Sequence, residues 1–218
     1  MRTRMSCLAM CVAGVCALAA CNDESTTNTT AVVSVADSSA ATDVSTAVTT
    51  LVADDMERLL IGDLPTGFEQ VPDSEFDTGP SDLAKAVVDD GAADAEDVLV
   101  AAGFVRGYQR AWQTADGSDR VIVFLYEFSN VDGAASYRDR GLAALDDDSS
   151  MEVVPFDVAS VPEASGRSLT NLESAGGQAA VVVFTKDVHL VQVSVIGPTD
   201  EANQALAQQL AQDQFDRV

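Results

Sequence analysis

The side chains able to do chemistry in this sequence are few in kind, and most are carboxylates. There is one histidine, His189, set between Val188 and Leu190 just after Lys186-Asp187. All four cysteines, Cys7, Cys11, Cys16 and Cys21, lie within the first 21 residues. The rest of the chain therefore lacks the ligands for a histidine or thiolate metal centre, and His189 is expected to be a partly exposed sheet residue. No G-x-S-x-G elbow, P-loop or G-x-G-x-x-G occurs, so the marks of an activated serine, a phosphate cradle and a dinucleotide site are missing. Paired carboxylates for glycoside hydrolysis carry no sequence spacing that would single them out among 35 acidic residues.

Two local patterns stand out. The run Asp146-Asp147-Asp148-Ser149-Ser150 falls where a helix should end. Carboxylates there face the negative end of the helix dipole. Oxygens from Asp146, Asp148, Ser150 and Glu152 would suit calcium, but Met151 holds the sixth position, where an EF-hand requires glycine. A solvated acidic loop is the expectation, with no metal and no cofactor assigned.

The second pattern is Phe104–Trp112. In a strand, Phe104, Arg106, Tyr108, Arg110 and Trp112 project to one side, and Val105, Gly107, Gln109 and Ala111 to the other. Arg106, Tyr108, Arg110 and Trp112 form the candidate ligand face. Guanidinium groups beside aromatic rings suit an anionic or sugar ligand, such as a cell-wall component. Alternatively, the aromatic residues are core and the arginines reach to acidic neighbours.

Cys21 belongs to a different chemistry. Arg2 and Arg4 precede an apolar run to Ala20, and Asn22-Asp23-Glu24 ends it abruptly. That order reads as a signal peptide over residues 1–20, whose apolar run, the 14 residues Cys7–Ala20, falls short of the roughly 20 needed for a membrane-spanning helix. Leu18-Ala19-Ala20-Cys21 resembles the lipobox of bacterial lipoproteins. The resemblance implies cleavage before Cys21, lipid on its thiol, and residence on the extracytoplasmic face of the cell membrane. Ordinary secretion is the alternative, since Ala17-Leu18-Ala19 also has the A-x-A form.

From Asn22 to Thr50 there is no Lys, Arg, aromatic residue or proline, and 13 of the 29 residues are Ser or Thr. Such a stretch has little apolar surface to offset ordering, so residues 21–50 are expected to be a flexible tether. It would span roughly 30 Å as a coil and about 100 Å fully extended. Loss of Arg2 and Arg4 would take the net charge from −23 to −25, which disfavours nucleic acid and anionic lipid surfaces.

Residues 51–218 have the length of one domain. Helices are expected near 51–61, from an N-cap at Ser81 to Gly91, and over 94–102 to Gly103. Strands at 104–113 and 120–128 flank a turn at Ala115–Ser118. A helix capped by Ser129 should run to Leu145, then weaker strands at 151–158 and 167–172. A second hairpin, 179–185 with 188–196, leads to a final helix with Ala202, Ala205, Leu206, Leu210 and Phe215 on one face. The strand–turn–strand–helix unit thus occurs twice, which raises the question of duplication.

Hairpins separated by helices imply an α+β domain with a mainly antiparallel sheet. The segments Leu64-Pro65-Thr66-Gly67-Phe68, Gly79-Pro80 and Gly103-Phe104 to Gly107-Tyr108 resemble those of uncharacterised actinobacterial envelope lipoproteins. That resemblance implies a PsbP- or Mog1-like sheet with flanking helices and brings no catalytic motif. A non-enzymatic binding module is the leading expectation, ahead of an envelope hydrolase using Asp/Glu chemistry and an acidic spacer.

Overall fold

Two hairpins form the middle of the molecule, joined through Arg120–Phe128 and His189–Gly197, which are buried on both faces. A computed structural model describes residues 53–73, 75–76, 78–172 and 177–218. The signal, Cys21 and tether expectations lie outside them. The elements are α1 (Ala53–Leu59), β1 (Phe68–Gln70), β2 (Gly79–Ser81), α2 (Leu83–Asp90), α3 (Ala95–Ala102), β3 (Phe104–Thr114), β4 (Arg120–Phe128), α4 (Val131–Asp146), β5 (Glu152–Phe156), β6 (Ser165–Leu172), β7 (Gly177–Lys186), β8 (His189–Gly197) and α5 (Asp200–Phe215). The strands form one antiparallel sheet in the order β1-β3-β4-β8-β7-β6-β5, and β2 also pairs with β3. The domain is α+β, as its hairpin pattern implies.

The period-2 alternation of β4 and β8 divides the core in two. Ile122, Phe124, Tyr126 and Phe128 pack with Ala86 of α2, Leu99 of α3, and Ala134 and Tyr137 of α4. Val121, Val123, Leu125, Val191, Val193 and Val195 pack on the opposite side with Met56 of α1 and Ala207, Leu210 and Ala211 of α5. Each large apolar side chain so buried contributes about 1.5–3 kcal/mol. Because α4 and α5 follow their hairpins onto opposite faces, the two strand–turn–strand–helix units have opposite handedness. No rotation superposes them, so they are not two copies of one unit.

Local chemistry corrects several expected boundaries. Asp82, one residue after Ser81, caps α2 by accepting from the Lys85 amide at 2.9 Å. Asn130, not Ser129, caps α4, accepting from the Gly133 amide at 2.8 Å. Gly91 and Gly103 end α2 and α3 at φ 69° and 76°, where a side chain would be strained. On α5, Ala202 and Ala205 are exposed while Asn203 and Gln214 are buried. Polar bonds set that rotation. Asn203 Nδ2 donates to the Gln178 and Gly197 carbonyls at 3.0 and 3.2 Å, and Gln214 accepts from the Ile61 amide at 2.9 Å.

Helices α3 and α4 come close at Gly133, where an added Cβ would overlap the backbone oxygen of Ala102. Gly133→Ala should therefore cost about 1–3 kcal/mol despite alanine's better helix propensity. A lowered urea midpoint at unchanged slope is the expected result; an unchanged midpoint would mean that α3 and α4 are not packed this tightly.

Candidate functional site

A break in the β3–β4 register between Phe104 and Arg106 alters the expected face at its first residue. Phe104 crosses to the α2–α4 side, where its ring lies 5.1 Å from that of Tyr126. Arg106, Tyr108, Arg110 and Trp112 keep a common side, beneath α1. Tyr108 and Trp112 are each 2% exposed and Arg110 is 6% exposed. Arg110 Nη2 is paired with Glu57 of α1, and its guanidinium carbon lies 5.6 Å from the centre of the Tyr108 ring. The Tyr108 hydroxyl donates to Asp73 at 2.8 Å. Burial, helped by that bond, pushes the phenol up to about 12. The aromatic pair thus belongs to the core, and α1 lies over it.

Arg106 sits at the rim of the same face. Its Nε donates to Glu127 at 2.5 Å, and Glu127 is opposite His189 in the sheet. Burial holds the imidazole below its ordinary range, against the opposing pull of Glu127 and Asp187. His189 is therefore neutral at pH 7, with a carboxylate and a guanidinium nearby.

The acidic run near 146–152 has local uses for its oxygens. Arg167 grips Asp146 through two bonds, Nε to Oδ1 at 2.6 Å and Nη2 to Oδ2 at 2.9 Å, which hold that carboxyl below its ordinary value. Asp148 accepts from the Ser150 amide at 2.8 Å. An open trough of about 670 Å³ lies beyond, lined by residues 155–159 and 164–167.

One residue escaped sequence reasoning. Arg120, at the start of β4, is partly buried, and its Nε has no hydrogen-bond partner among the described residues. Its guanidinium carbon lies 4.3 Å from the centre of the Phe76 ring. Burial alone accounts for its lowered pKa. Nothing in the sequence marks it, because its isolation depends on which carboxylates the fold brings near.

No protein-family model matches the chain, and no curated protein matches it either. Among solved structures, it is similar to the extracellular domain of PknH from Mycobacterium tuberculosis. That similarity has a TM-score of 0.48 at 10% sequence identity, over 77% of this chain and 98% of the other. Among the described residues no helix is long and apolar enough to cross a membrane.

Trp112 is the one tryptophan and reports directly on α1. Glu57→Ala leaves the buried Arg110 without its carboxylate, a loss of about 1–3 kcal/mol, and should loosen α1. Acrylamide quenching of Trp112 is expected to rise in the variant. Unchanged quenching would show that Met56, Leu60 and Ile61 hold the helix without the ion pair.

Proposed function

We propose that the chain is a lipid-anchored module on the extracytoplasmic face of a cell membrane, where a tether presents an acidic domain that binds a ligand and does not transform it. One observation carries the anchor. Leu18-Ala19-Ala20-Cys21 closes an apolar run headed by Arg2 and Arg4, and opens onto 29 residues without a cation, aromatic ring or proline. The ligand is a cell-wall component or a small anion, since the net charge of −23 repels polyanions.

Binding is favoured over Asp/Glu hydrolysis by the state of the carboxylates. A general acid needs a raised pKa, whereas Arg167 holds Asp146, in the acidic run, below its ordinary value. The Arg106, Tyr108, Arg110 and Trp112 face serves as a ligand surface in one form only. Arg106 is at the rim, and access to the two aromatic rings requires α1 to lift from Arg110. Ligand entry by that route would expose Trp112.

Intact-mass measurement on the full chain from a bacterial membrane fraction tests the anchor. A diacylglyceryl-type adduct on an N-terminal Cys21 is expected, and Cys21→Ala should release the protein or leave it unprocessed. A mature chain that begins at Ala20 with an unmodified thiol would contradict lipidation and support plain secretion.

A further inference from the structure

We propose that Arg120 is the anchor of an oxyanion-binding site, which takes a carboxylate or phosphate group of a small molecule. Ten of the twelve basic residues lie beyond Cys21. Arg58, Lys85, Arg106, Arg110, Arg138, Arg140 and Arg167 each pair with a carboxylate. Lys186 and Arg217 donate to the Phe215 and Leu60 carbonyls. Arg120 alone has neither kind of partner among the described residues.

A guanidinium carries five donors. At Arg120 the Nε is buried without an acceptor among the described residues, which is costly, and stacking on one ring does not replace that hydrogen bond. In a chain with 35 acidic residues, a cation left without a carboxylate is conspicuous. Its position is also built. Phe76, beneath it, has φ 51°, a left-handed backbone that a bulky side chain adopts only at a cost. Gln109 Nε2 holds that turn by donating to the Phe76 carbonyl at 3.1 Å. Thr78 Oγ1 helps by donating to the Glu75 carbonyl at 3.0 Å. Strain is thus maintained where the ring meets the guanidinium.

The sheet supplies further polar groups on the same side. Arg120 is opposite Gln113 on β3 and Ile196 on β8, and Ser194 is its diagonal neighbour. Ser194 Oγ accepts from Gln192 Nε2 at 3.1 Å, so its own proton has no acceptor among the described residues. A planar carboxylate or a phosphate edge at Arg120 would receive the guanidinium fork, with the Gln113 amide and Ser194 hydroxyl as secondary donors. The domain's negative field opposes anions, so a lone ion should bind weakly, with Kd on the order of millimolar.

The test uses the full chain at fixed ionic strength, with inorganic phosphate and acetate as separate probes and chloride as the control. Without a probe, Arg120→Met should melt at or above the wild-type temperature, because it removes an uncompensated charge. Phosphate or acetate should raise the wild-type midpoint by a few degrees and leave Arg120→Met and Arg120→Lys unmoved. The arm that acts tells phosphate from carboxylate. In 15N NMR, the one side-chain Nε signal missing from Arg120→Met should shift downfield with the active probe. A large drop in melting temperature for Arg120→Met would assign Arg120 a structural role. No probe-dependent shift of its Nε signal, or equal shifts in melting across all three proteins, would also overturn the site. These results are independent of Cys21 lipidation, so either proposal can fail alone.

Discussion

The pairing of β4 with β8 is the constraint on which the rest of the structure depends. Both strands are buried on both faces, so each must be apolar in consecutive positions and each face needs a helical cover. That requirement sends α4 to one side and α5 to the other, and it recruits α1 to complete the second cover. It also keeps buried polar side chains on β8 few. Gln192 and Ser194, neighbours on one face of β8, share a bond of 3.1 Å in which the amide donates to the hydroxyl. Outer strands are under less demand. In β5, Val154 is exposed and Pro155 occupies the unpaired edge, where a missing amide proton is harmless and discourages further strand addition.

Scarce cations fasten the covers to one another. Arg140 of α4 donates to Asp90 at the end of α2 at 2.6 Å and to Asp94 at 2.9 Å. The Tyr137 hydroxyl reaches the same Asp90 at 2.7 Å. Asp90 is buried yet fully engaged, and removing either arginine or carboxylate would strand the other. Arg110 with Glu57 does the same for α1, Arg167 with Asp146 joins β6 to α4, and Lys186 closes the last turn of α5. Against this pattern Arg120 is the exception, which is why its isolation points to a ligand.

The sheet was legible because apolar alternation and turn residues are local signals. The 104–128 and 179–196 hairpins follow from Asp116-Gly117 and Lys186-Asp187 between Val- and Phe-rich strands. Strands β1 and β2 were not, since three residues such as Gly79-Pro80-Ser81 carry no periodicity and form only because β3 offers its edge. Caps shifted by one residue where Asp82 and Asn130 outcompeted adjacent serines. The rotation of α5 escaped hydropathy because Asn203 and Gln214 are buried by hydrogen bonds. The Arg106–Trp112 face shows the same limit. Alternation placed its residues on one side, but whether they met solvent depended on α1, more than 40 residues earlier in the chain. Arg120 was the least legible, since its character comes from having no ion-pair partner among the described residues, which only the fold decides.

If β4 and β8 are the spine, their amides should open only when the whole domain unfolds. Native-state hydrogen exchange measures this strand by strand. The slowest exchange is expected in Val121–Leu125 and Val191–Val195, at the free energy of global unfolding, with β1, β2 and β5 exchanging through smaller openings. Exchange in β4 or β8 as fast as in β5 would contradict it.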